Sequence, residues 1–150
     1  MKIIFICYGN ICRSPMAEYI FKSMLKKAKI EGVEVVSRGT SSEEEGRGVH
    51  RGTRGVLEAI GIDCSAHIAK RLSKAECDEC DLLLCMDQYN VWHTEEIAGE
   101  ENKRKIKKLL EFSSHPRDID DPWYTHDFKR SYREIVEGLN GLIKYVKSKV

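Results

Sequence analysis

The sequence predicts an α/β fold of three layers, a parallel sheet covered by helices on both faces. Three observations carry this reading. Short apolar runs, "IIFI" at 3–6 and "LLLCM" at 82–86, look like buried strands. Between such runs lie segments with apolar residues at helical spacing. The two kinds alternate over 150 residues, a length that suits one domain, residues 1–150, with a real core.

Residues 2–7 form the first strand, which ends in Cys7 and passes into Gly9 and Asn10. Met16, Ala17, Ile20, Phe21, Met24, Leu25 and Ala28 then recur at helical spacing, with Ser14 where an N-cap belongs and Pro15 at the first helical position. Gly32 closes that unit, and "VEVVSRG" (33–39) reads as the second strand. The polar, glycine-rich stretch 40–52 is a long loop. Thr53–Ile60 is a helix ended by Gly61, and Cys77–Cys80 falls on a short helix. Residues 81–86 form the third strand, Gln88–Ala98 a helix, and "IKKLLEF" (106–112) a fourth strand. A loop with Pro116 and Pro122 precedes the last helix, whose face carries Phe128, Tyr132, Ile135, Val136, Leu139, Ile143 and Val146. No repeat, linker or low-complexity tract interrupts this order.

The totals exclude several classes. Net charge is +1, so no global field points to nucleic acid, and the basic stretch Asn102–Lys108 reads as a solvated face. No segment approaches the ~18–20 apolar residues of a bilayer span. "KIIFIC" is too short for a signal peptide and lacks a cleavage site, which places the chain in the cytoplasm and off the membrane. There the six cysteines are expected as thiols. Cys77 and Cys80 form a lone CxxC with no second pair to complete a zinc site, and His50, His93, His115 and His126 have no ligand spacing; no metal is expected.

The chemistry gathers at Cys7–Ser14. A strand-to-helix turn aims backbone N–H groups at one spot, and the helix dipole makes that spot favourable to negative charge. Gly9 and Asn10 tolerate the backbone angles that such a cradle needs. Arg13 adds a planar fork for two phosphate oxygens. At the bottom, Cys7 would be favoured as thiolate, with the Ser14 hydroxyl able to donate to it. The loop residues Tyr8, Gly9, Asn10, Ile11, Cys12 and Arg13 are the expected phosphate ligands.

With "CYGNICRSPMAE", "VSRGTS" around Ser37, "AHIAKRL" around His67, "LLLCMDQYN" around Asp87 and "DDPWY", the chain resembles the low-molecular-weight protein tyrosine phosphatases over essentially its whole length. The resemblance implies a four-stranded parallel sheet and hydrolysis of phosphomonoesters through a cysteinyl-phosphate, with no metal or cofactor. It puts the general acid in the Asp-Pro pair, hence on Asp121, with Asp120 its neighbour and competitor. It assigns Asn10, Ser37 and His67, beside Ser14, to a network that stiffens the loop. Tyrosine-phosphorylated proteins are the implied partners, met by a monomer or weak dimer.

Two features depart from the family's usual pattern. Tyr8 follows the nucleophile where a smaller residue is common, and "EEE" (43–45) stands where an aromatic is often found. With Ile11, Trp123 and Tyr124, Tyr8 would wall a pocket for a flat ring. Two other activities on the same fold compete: hydrolysis of phosphoarginine, which favours threonine in place of Ile11, and thiol-dependent arsenate reduction, for which Cys85 lies near a second thiol position and Trp92 near the third. A silent phosphate-binding module is a further alternative. Cys12, five residues from Cys7, would capture an oxidised Cys7 as a reversible disulfide.

Overall fold

A computed structural model describes residues 1–150. Strands β1 (Lys2–Cys7), β2 (Glu34–Gly39), β3 (Leu82–Cys85) and β4 (Ile106–Lys108) form one sheet in the order β2-β1-β3-β4. Every pairing is parallel. The connections carry helices α1 (Arg13–Lys27), α2 (Arg51–Ala59), α3 (Lys74–Glu79) and α4 (Gln88–Ala98), and α5 (Pro122–Thr125) and α6 (Phe128–Lys149) follow.

Strand periodicity divides the core. Ile3, Phe5, Cys7, Leu82 and Leu84 face a cluster built with Met16, Phe21, Leu139 and Leu142 of α1 and α6. Ile4, Ile6, Leu83 and Cys85 face the other way, toward Cys77 and Ala98 of α3 and α4. A sheet covered on both faces needs apolar residues at every strand position, which is why "IIFI" and "LLLC" are unbroken. Phe5 and Phe21 meet edge to face at 5.9 Å. Each such fully buried side chain contributes ~1.5–3 kcal/mol of transfer free energy.

The fourth strand is shorter than the sequence suggests. Only Ile106–Lys108 pairs with β3, and Leu109–Phe112 turns into a 3₁₀ helix. Leu109 and Leu110 are consecutive and both fully buried, which an edge strand with one covered face cannot achieve. Helix α6 comes close enough to bury them because Gly138 and Gly141 lack side chains; a Cβ on Gly138 would stand 2.6 Å from Leu109 Cγ.

Two helix starts also differ from expectation. Helix α1 begins at Arg13, and Ser14 caps nothing. Helix α2 begins at Arg51, two residues early, because the His50 ring accepts from the Gly52 N–H at 3.0 Å and serves as its cap. Helix α5 falls inside the expected loop: Asp121 caps it by accepting from Trp123 N–H at 3.0 Å, and Pro122 takes the first helical position. In register, Cys7 lies beside Gly39, and Ile6 beside Cys85. The carboxyl ends of the strands thus share one edge, where open α/β sheets bind their ligands.

Candidate active site

The loop from Tyr8 to Cys12 turns on Asn10, which has a left-handed φ of 59°. Its side chain holds that geometry. Nδ2 donates to Ser14 Oγ and Ser37 Oγ, both at 2.9 Å, while Oδ1 accepts from Lys70 N–H at 3.0 Å. The Asn10 carbonyl accepts from His67 Nε2 at 2.8 Å, so that nitrogen carries the proton. Ser37 Oγ in turn donates to Glu18 Oε1 at 2.6 Å.

Proton directions follow from this chain. Ser14 Oγ accepts from Asn10, so its single proton is left for the Cys7 Sγ, 3.0 Å away. Of the two roles the sequence offered Ser14, helix cap and donor to the sulfur, the geometry has only the second. The network also includes a residue that sequence reasoning passed over. Glu18 sits buried on α1, its Oε1 4.0 Å from His67 Nδ1 and its Oε2 2.5 Å from Lys22 Nζ. An acid on the apolar face of α1, among Met16, Ala17, Ile20 and Phe21, was the available signal.

Arg13 is 2% exposed. Its Nη1 donates to Asp87 Oδ2 at 2.7 Å and to the Ile119 carbonyl at 2.6 Å. Both protons of Nη1 are thereby used, leaving the Nε and Nη2 donors for a ligand. Burial alone would lower the Arg13 pKa, but the charges of Cys7, Asp87 and Asp121 outweigh it and raise it above the usual arginine value. Asp87, at the centre of the motif "LLLCMDQYN" but with no role read for it, caps α4 through Oδ1, which accepts from Asn90 N–H at 2.9 Å, and turns Oδ2 to Arg13. Asp121 Oδ2 stands 3.4 Å from Arg13 Nη2. Asp120 also lines the cavity, but its Oδ2 is paired with Arg130 Nη2 at 2.9 Å.

These groups share a cavity of about 700 Å³ that Cys7, Tyr8, Ile11, Arg13, Asp121 and Trp123 help to line. Tyr124 lies at its mouth, largely exposed, and so does Tyr89 on α4. No three His, Cys, Asp or Glu side chains converge as a metal site. A thiol at the base, a buried fork beside it and a carboxyl above can serve a nucleophilic displacement at phosphorus.

The family model described as low molecular weight phosphotyrosine protein phosphatase matches residues 2–150. The chain belongs to this family. It is 33% identical over 150 residues to the low molecular weight protein-tyrosine-phosphatase YfkJ of Bacillus subtilis, covering 98% of this chain and 96% of that one. With PtpA of Staphylococcus aureus, named likewise, identity is 37% over 147 residues, covering 97% and 94%. The crystal structure of YfkJ superposes with a TM-score of 0.95 over 99% of this chain and 96% of that one. Wzb of Vibrio vulnificus, in complex with benzylphosphonate, matches with a TM-score of 0.83 at 27% identity, covering 96% and 97%.

Within this family member the 40–52 loop folds over the site. Tyr8 Oη donates to Glu43 Oε1 at 2.9 Å, which ties one wall to that loop. Glu44 lies against Gly9, where a Cβ would meet its Cγ at 3.1 Å, and both Glu43 and Glu44 line the cavity. Carboxylates beside Ile11 were not foreseen. Ile11 itself is nearly buried, packed with Cys12, Ala69 and Phe128, so it lends the cavity only an edge. His50 stacks on Phe128 at 5.2 Å and meets Trp123 edge-on at 5.9 Å, bracing the Asp121 loop.

The remaining thiols are quiet. Burial pushes the Cys12 thiol up to about 12, helped by the charges of Cys7 and Asp121. Burial likewise raises Cys77 to about 12 and Cys80 to about 11, and Cys80 Sγ donates to the Cys77 carbonyl at 3.4 Å. Both pack in the α3–α4 layer. The basic stretch is less solvated than expected, since Asn102 is buried and Lys105 Nζ donates to the Cys77 carbonyl at 2.7 Å.

Proposed function

We propose that the protein hydrolyses phosphotyrosine monoesters, with Cys7 as nucleophile. The observation that carries this reading is the convergence of Cys7 Sγ, the free edge of Arg13 and Asp121 Oδ2 on one aromatic-walled cavity. The phosphate would sit on the loop amides from Tyr8 to Arg13, its oxygens held by Arg13 Nε and Nη2. Cys7 attacks phosphorus in line, and the tyrosine oxygen leaves on the side of Asp121, which donates the proton that a phenolate needs. The resulting carboxylate then takes a proton from water as it attacks the cysteinyl-phosphate, releasing phosphate and the thiolate. Ser14 donates to the sulfur whenever it carries charge. Asn10, Ser37, His67 and Glu18 keep the amides aimed.

The aromatic walls favour a phenyl ring: Tyr8, Trp123 and Tyr89 offer faces and edges. Benzylphosphonate in the Wzb relative likewise carries a phenyl ring, one methylene from a phosphorus oxyanion. Phosphoarginine is the second reading, because Glu43 and Glu44 supply acceptors for a guanidinium. Arsenate reduction has less support. Cys85 faces the opposite layer from Cys7, is fully buried, and burial pushes its thiol up to about 12. We also infer a protective role for Cys12 as the thiol that captures oxidised Cys7. Residues 1–150 would act as one cytoplasmic domain, a monomer or weak dimer, on tyrosine-phosphorylated proteins and without metal or cofactor.

The test is kcat/KM for phosphotyrosine, phosphoserine and phosphoarginine in wild type and Ile11→Thr. Phosphotyrosine should lead, and Ile11→Thr should move the ratio toward phosphoarginine. A wild type that favours phosphoarginine overturns the substrate while leaving the three reacting groups in place.

A further inference from the structure

A second cavity of about 910 Å³ adjoins the first, and Tyr8 and His93 line both. Its other walls include Thr40, Ser42, Arg71 and Lys74. Thr40, immediately after β2, is 7% exposed, and its buried Oγ1 has no hydrogen-bond partner.

Arg71, an exposed residue, is tied to this wall through its backbone and by one side-chain hydrogen bond. Its backbone bridges to Gly39 at the end of β2, and Leu72 N–H donates to the Gly39 carbonyl at 2.8 Å. Its Nε donates to the Thr40 carbonyl at 3.1 Å. Both Nη groups are left without a partner in the chain, so a planar pair of donors is free for a ligand. Lys74, by contrast, is engaged by Asp78 and Glu101. Glu96 lines the cavity, and Glu45 Oε2 accepts from the Arg71 N–H at 3.4 Å; both add negative charge that an incoming anion must overcome. Arg71 is therefore the cation with capacity to spare.

We propose that this second cavity binds an oxyanion carried by the substrate itself, on a side chain near the phosphotyrosine, with Arg71 as its anchor. The proposal rests on the phosphotyrosine reading and sets its specificity. A ring packed on Tyr8 brings its own chain to the rim that the two cavities share. A carboxylate or a second phosphate one or a few residues away can then reach the Arg71 fork, where charge-assisted bonds form. Glu43 and Glu44 line only the catalytic cavity, so an acidic neighbour is tolerated on the Arg71 side alone.

The experiment uses the full chain and peptides with one phosphotyrosine in an alanine background, scanning glutamate and phosphoserine through the flanking positions. Rates are read from the absorbance change of the freed tyrosine. Wild type should favour an acidic residue over alanine by about three- to tenfold in kcat/KM at one or two positions on one side. That ratio should fall to about one in Arg71→Ala and to an intermediate value in Arg71→Lys, which keeps the charge and loses the fork. Because each ratio is taken within one variant, partial misfolding cancels. A larger gain from phosphoserine than from glutamate assigns a phosphate site, and equal gains assign a carboxylate site. A wild type that prefers alanine at every position, or a preference that survives Arg71→Ala, overturns the proposal. Failure to hydrolyse even the alanine-flanked peptide would instead overturn the phosphotyrosine reading.

Discussion

Asn10→Ala should be among the most damaging single changes outside the reacting groups. The side chain makes three hydrogen bonds, to Ser14 Oγ, to Ser37 Oγ and from Lys70 N–H. At ~0.5–1.5 kcal/mol each, their loss costs about 1.5–4.5 kcal/mol. Alanine at φ 59° adds ~1–2 kcal/mol of backbone strain that asparagine largely avoids. Destabilisation of about 3–6 kcal/mol is expected, read from urea unfolding followed by tryptophan fluorescence. Asn10→Gly removes the strain but adds chain entropy to the unfolded state, about 0.4–1 kcal/mol, so it should fall ~0.5–1 kcal/mol short of the alanine variant. In both, the loop amides lose their aim, and kcat on phenyl phosphate should drop by about 10–100-fold. A variant less than about 1 kcal/mol destabilised, with wild-type kcat, refutes the claim that this side chain holds the loop.

Arg13→Lys should lower kcat/KM by about 10³-fold, because an ammonium cannot satisfy Asp87, the Ile119 carbonyl and two phosphate oxygens together; activity within tenfold of wild type contradicts this. Asp121→Asn should slow aryl phosphates with basic leaving groups by about 10²-fold or more and those with acidic ones much less; equal slowing across the series removes Asp121 from the acid role, and a larger effect at Asp120 transfers it. Cys12 should resist alkylation at neutral pH, with roughly one thiolate in 10⁴ at pH 8 and a tenfold rise per pH unit toward its pKa of about 12. Once Cys7 is oxidised its charge no longer opposes the Cys12 thiolate. Peroxide inactivation should therefore be reversed by dithiothreitol in wild type and less so in Cys12→Ser, and identical recovery counts against the protective role.

What could be read in the sequence was local. The "IIFIC" run, the glycine turn and Arg13 at the head of an amphipathic segment follow within a dozen residues, so strand, loop and helix order were all legible. What escaped depends on tertiary approach. Leu109 and Leu110 look the same in a buried strand as under α6, and only the glycines of α6 decide between them. Ser14 carries a cap's signature that the fold does not use; its other expected role, donor to Cys7, is the one the geometry has. Asp87 stands seventy-four residues from Arg13, and Glu18 meets Ser37 only across the α1–β2 packing. Glu44 over Gly9 is a loop contact with no periodic signal at all.

The central claim is that phosphate passes through Cys7. Wild type mixed with a phenyl phosphate and quenched in acid within the first turnover, then digested and examined by mass spectrometry, should carry one phosphoryl group on the Cys7 sulfur. Cys7→Ser should carry no such thiol ester and show no turnover, yet still bind inorganic phosphate through the loop amides and Arg13. An unmodified Cys7 in the quenched wild type, together with hydrolysis that persists in Cys7→Ser, would contradict the assignment.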